Sequence, residues 1–195
     1  MKTALLFLLL CSAPFASTAA PPIYFPTTKE TEFTLSGWYP KHLQAMREPS
    51  LHQRIAQPIE EYRFLYLPSF NHPIAVRVTQ SGQSISLRAV MLSGKGGYEP
   101  GHILAERKRA LTPKEWSRFQ SVLARASFWQ GHIAGDQLGT DGSQWVFEGA
   151  GSYRYRLLEA WTPTYDTRKR GLSAFVECGK YLISLSGLQP DEPLY

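Results

Sequence analysis

Over residues 74–78 and again over 85–91 every second side chain is apolar, and this alternation constrains the fold more than any other feature of the chain. Ile74, Val76 and Val78 alternate with Ala75, Arg77 and Thr79; Ile85, Leu87, Ala89 and Met91 resume the pattern beyond Ser81-Gly82-Gln83. A period of two puts one set of side chains on one face of a strand, and the polar break between the runs suits a tight turn. The stretch 73–92 therefore predicts an antiparallel hairpin with one buried face. Arg63-Phe64-Leu65-Tyr66-Leu67 predicts a strand before it, stopped by Pro68. Ile103 to Arg107 predicts a short strand after it, beyond a Gly-rich loop at Ser93 to Gly101 that reads as flexible.

One clear helix is expected at about 112–127. Thr112-Pro113-Lys114-Glu115 has the form of a capping box, with Pro at the first helical position, and Leu111 and Trp116 are spaced for a hydrophobic staple. Trp116, Phe119 and Leu123 share one face, with Val122 and Ala126 beside it. Further strands follow at Ser143 to Glu148 and Tyr153 to Trp161, joined by a turn at Gly149-Ala150-Gly151. Residues 173–186 read as a last hairpin or bent strand with Gly179-Lys180 at its middle, which places Cys178 on the inner face of a strand. The expected fold is one α+β domain over 62–195, with antiparallel strands grouped on either side of the helix. Residues 20–61, broken by Pro21, Pro22, Pro26, Pro40, Pro49 and Pro58, read as irregular, with a helical turn or two at His42 to Arg47 and Leu51 to Ala56.

The chain has 195 residues, 43% hydrophobic and 19% charged, enough for a sizeable core and unlike a collagen, a coiled coil or a disulfide-stapled miniprotein. Residues 1–19 have the three parts of a secretory signal peptide: Lys2, an apolar run from Ala4 to Leu10, and small residues Ser17 and Ala19 before the cut. Cleavage after Ala19 is expected, giving a soluble exported protein, periplasmic or secreted. The rival reading is a lipoprotein anchored at Cys11, which Leu10 in the preceding position disfavours. With Cys11 removed, Cys178 stands alone and reads as a small buried hydrophobe. The chain carries 21 Lys and Arg against 16 Asp and Glu, so it is modestly basic. That suits an anionic lipid, a glycan or an acidic partner. No nucleic-acid motif appears, and a membrane-surface contact fits where an integral one does not.

No catalytic constellation emerges. Ser93-Gly94-Lys95-Gly96-Gly97 lacks the spacing and the Ser/Thr of a phosphate loop, and no G-x-S-x-G occurs. His42, His52, His72, His102 and His132 are widely spread and read as isolated surface imidazoles. Asp136, Asp141 and Glu148 lack the density of a calcium loop, and Asp141 reads as a turn residue and Glu148 as a strand end in preference to an acid–base pair. Trp129, Trp145 and Trp161 read as core. Nothing calls for a cofactor or a metal. The candidate binding residues are Arg154 and Arg156, which share a strand face, and Arg168, Lys169 and Arg170 in a nearby loop, weighed against a solvated outer face.

Gly139-Thr140-Asp141-Gly142-Ser143-Gln144-Trp145, then Glu148-Gly149, Gly151-Ser152-Tyr153 and Trp161-Thr162-Pro163, resembles a pattern in an uncharacterised family of small exported proteins of Gram-negative bacteria. The resemblance covers the C-terminal half, implies an envelope protein and carries over no catalytic residues. The expectation is a partner-binding envelope protein of the inhibitor, immunity or accessory type, leaning away from an enzyme, with its partner and oligomeric state open. The alternatives are a hydrolase or transferase acting on envelope lipid or glycan, and a small-ligand carrier.

Overall fold

The alternating stretch forms the expected hairpin, β2 (Ile74–Ser81) and β3 (Ser84–Leu92), turning at Gly82 with φ +56°. In the computed structural model, which describes residues 22–26, 33–131, 133 and 139–195, this hairpin belongs to a single six-stranded sheet. The other strands are β1 (Glu60–Pro68), β4 (Ile103–Ala110), β5 (Ser143–Gly151) and β6 (Arg154–Trp161). Their order is β4-β3-β2-β1-β5-β6, antiparallel throughout. The strands come in two groups along the chain, four before the capped helix at residues 113–125 and two after it. Pairing of β1 with β5 joins the groups, in a register that sets Leu65 opposite Val146. The β5–β6 turn falls at Ser152 and Tyr153, both at positive φ, directly after the expected glycines.

The helix after β4 is α2 (Pro113–Arg125), and both hydrogen bonds of its capping box are present. Its Trp116, Phe119 and Leu123 pack on one face of the sheet against Tyr62, Phe64 and Phe147. The segment expected as a final hairpin is instead helix α3 (Ser173–Ser186), which lies beside α2 on the same face. Alternation at Val176 and Cys178 suggests a strand, but Phe175, Gly179, Leu182 and Ser186 recur at helical spacing and are all buried. Gly179 is no turn. A Cβ there would sit 2.5 Å from the Trp145 ring, so its bare backbone lets α3 lie directly on the sheet. Cys178 is buried as expected, though on a helix, and burial pushes its thiol up to about 12.

The opposite face of the sheet is covered by the Pro-interrupted N-terminal segment. A π-helical turn (Phe33–Trp38) leads into α1 (Tyr39–Ala45), and Tyr24, Phe25, Leu35, Tyr39, Leu43 and Met46 pack on Leu65, Leu67, Val90 and Val146. β1 is therefore buried on both faces, which is why Phe64 to Leu67 is an unbroken apolar run.

A row of charge crosses this second face. The register aligns Glu148, Arg63, Arg77, Arg88 and Lys108 on five successive strands. Glu48, just after α1, pins the covering segment to the row. Its carboxylate lies 2.8 Å from Arg77 and 3.6 Å from Arg63, and it also pairs with Arg88. Burial alone would raise the Glu48 carboxyl, but Arg77, Arg63 and Arg88 outweigh it and hold the group below the ordinary carboxylate range. Glu148 is therefore a fully buried partner in the middle of β5, where a strand-end residue was expected. Its own carboxyl is pushed up by burial, against the pull of Arg63 and the Tyr155 hydroxyl.

Candidate functional site

At the end of the sheet where β1 and β3 finish, two loops stand side by side: Ser69–Pro73 and Ser93–His102. They share backbone hydrogen bonds, from Gly96 N–H to Asn71 at 3.2 Å and from Gly97 N–H to Ser69 at 3.3 Å. The glycines of the second loop serve close approach. A Cβ on Gly96 would lie 2.5 Å from the backbone of Leu67 and Pro68, and one on Gly94 would collide with Glu99 and Pro100. The loop expected to be flexible is thus tightly folded, because only bare backbone fits between its neighbours.

Three of the five histidines converge on it. His72 Nδ1 lies 3.0 Å from the Gly94 carbonyl, His42 Nε2 3.3 Å from the Lys95 carbonyl, and His102 Nδ1 3.0 Å from Ser93 Oγ. Trp38 adds an indole N–H donated to the Gly96 carbonyl at 2.7 Å, and Lys41 pairs with Glu99 at 3.1 Å. The expectation of isolated surface imidazoles fails most clearly at His42, which is fully buried. Its Nδ1 faces the Trp38 carbonyl at 3.0 Å, and burial lowers its pKa below the ordinary imidazole value. Sequence separation hid this cluster: α1, the β1–β2 loop and the β3–β4 loop meet only in the folded chain. The one local signal was the density of glycines at 94, 96 and 97.

The braced loops present Phe70 and Tyr98. These are 47% and 57% exposed, with ring centroids 6.2 Å apart. The Ser93–His102 contact has the atoms of a nucleophile and base, but the hydroxyl also accepts the His102 backbone N–H at 3.1 Å, the geometry of a turn clasp. Among the described residues no three His, Cys, Asp or Glu side chains gather to hold a metal, and no helix is long and apolar enough to cross a membrane.

The basic residues singled out from the sequence lie elsewhere. Arg154 and Arg156 share the helix-side face of β6 with Leu158 and Ala160. Arg154 stacks on Trp129 at 3.8 Å, and Arg156 donates to the Gly131 carbonyl. Arg168 and Lys169 are exposed in the turn after β6, while Arg170 is bound to the carbonyls of Trp161, Thr162 and Tyr165. Arg154 opens an eight-residue strand that Trp161 closes, so the turn lies roughly 24 Å away along β6. Trp145 is core, whereas Trp129 and Trp161 are half-buried, Trp161 beside Trp38. Residues 1–21, His132 and Asp136 lie outside the described residues, and with them the expected cleavage site and Cys11. No protein-family model matches this sequence, and no curated protein is significantly similar to it.

Proposed function

We propose that this is an exported cell-envelope protein that binds a macromolecular partner through the loop end of its sheet. One observation carries the reading: two aromatic side chains stand half-exposed and paired on loops that Trp38, His42 and His72 hold in place. Aromatic anchors dominate the energetics of many interfaces, and anchors already fixed lose little freedom on binding. The N-terminal apolar run with Ser17 and Ala19 supports the placement in the envelope.

The test is affinity capture from the native envelope with mass spectrometry, comparing the wild type with a Phe70→Ser/Tyr98→Ser variant of unchanged melting temperature. The expected result is one partner captured by the wild type and lost by the variant. Undiminished capture by that variant, or loss only in an Arg154→Ser/Arg156→Ser variant, would overturn the reading and move the site to the basic strand.

A further inference from the structure

The net charge of the chain sits in one place. Residues 103–125 carry Arg107, Lys108, Arg109, Lys114, Arg118 and Arg125 against Glu106 and Glu115. Apart from Lys2, the rest of the chain has 14 basic and 14 acidic side chains and is neutral. These residues form β4, the turn after it and α2. Among the described residues β4 is an edge strand that pairs with β3 alone, and Arg107, Lys108 and Arg109 on it are all exposed. Arg109 joins the strand to the helix through Glu115 at 2.8 Å, and Lys114 and Arg118 follow on the exposed side of α2. The strand begins just beyond Tyr98, with Leu104 51% exposed at its start.

From this placement we propose that the partner offers an extended acidic segment, which adds to the sheet as a seventh strand along β4. The proposal rests on the partner-binding reading above and names the chemistry of what is bound. The Glu106 and Ala110 carbonyls of this edge accept the exposed guanidiniums of Arg107 and Arg109, each at 3.1 Å, so a second strand that displaces those side chains gains main-chain hydrogen bonds whatever its sequence. Charge then selects. Two copies of this edge repel each other through Arg107, Lys108 and Arg109, which opposes self-pairing. An acidic strand meets the same groups with opposite sign. Its far end would reach the exposed Leu104, where an apolar residue would be buried. A membrane surface would use the charge but leave the strand edge unpaired, so the peptide is the better fit.

The probe is a blocked, fluorescently labelled octapeptide of alternating Glu and Val, measured by anisotropy with the full-length protein. Binding should weaken about tenfold or more in an Arg107→Glu/Lys108→Glu variant of unchanged melting temperature, and should fall with salt. It should also be lost when alternate peptide nitrogens are methylated, which removes main-chain donors and keeps the charge. Methylated and plain peptides binding alike would reduce the effect to charge attraction and overturn strand addition. Absence of peptide binding would overturn it too, as would binding only to vesicles containing phosphatidylglycerol. None of these failures alters the Phe70→Ser/Tyr98→Ser capture result, so the parent reading is judged separately.

Discussion

One carboxylate oxygen of Glu148 accepts Arg63 Nε at 2.7 Å and lies 2.5 Å from the charged Nη2, in a place where neither side chain reaches solvent. The other oxygen accepts the Tyr155 hydroxyl at 2.8 Å, and Arg63 Nη1 donates to the Pro49 carbonyl at 2.7 Å. The pair thus ties the two halves of the sheet to each other and to the N-terminal segment. Truncating Glu148 leaves the buried Arg63 charge with only the more distant Glu48 carboxylate, at 3.6 Å, which costs far more than losing an exposed pair. Glu148→Ala should destabilise the fold by roughly 3–5 kcal/mol in urea denaturation. Arg125→Ala, which breaks a half-exposed pair with Glu177, should cost about 1 kcal/mol or less.

His42 gives stability a pH dependence of known sign. Its folded pKa is lowered by burial, so the unfolded chain binds the proton more readily. Stability from this group is complete above the unfolded value of about 6.5 and is lost as pH falls below it. Lys41 adds to the lowering, while Glu99 and the Trp38 and Lys95 carbonyls oppose it. Melting temperatures of the wild type and His42→Gln between pH 7.5 and 5 should converge toward acid. Parallel curves would remove His42 as the source.

Thr112→Ala should cost about 1 kcal/mol, because it leaves the Glu115 amide without its capping hydroxyl. Urea denaturation measures it. The Glu115 carboxyl, held down to about 2 by Arg109 and the Thr112 backbone and hydroxyl, keeps the other half of the box formed at any ordinary pH.

Gly179→Ala sets two effects against each other. Ala favours a helix by about 1 kcal/mol, but its methyl would lie 2.5 Å from Trp145 and 2.9 Å from Phe64. Both rings are fixed in the core, so overpacking should win by about 1–3 kcal/mol. A lowered melting temperature, with altered near-UV circular dichroism from Trp145, is the expected result.

Local rules account for what the sequence made legible. The hairpin at β2–β3 follows from alternation and a glycine turn, and α2 from its capping box, because each is decided within a dozen residues. The sequence of α3 reads as a strand because Gly179 breaks a helical pattern for a reason on another element, the Trp145 ring. The site was hidden for the same cause. His42, His72 and His102 have nothing in common along the chain, and Arg63 reads as one polar residue in an apolar run until Glu48 and Glu148 are folded against it.

The position of β1 between β2 and β5 bears on how the molecule comes together in time. β1 to β4 can zip up as a meander from near neighbours, and β5 with β6 as a hairpin. The seam between them joins residues about 80 positions apart, such as Leu65 and Val146, and such long closures are slow. Tyr39 needs that seam, because its hydroxyl donates to Glu159 on β6, whereas Glu48 pairs with Arg63, Arg77 and Arg88 on β1 to β3. The stretch that comes first in the chain is therefore the one whose native seat is finished last. Until then, the face carrying Leu65, Val90 and Val146 lies open to any other apolar surface it meets.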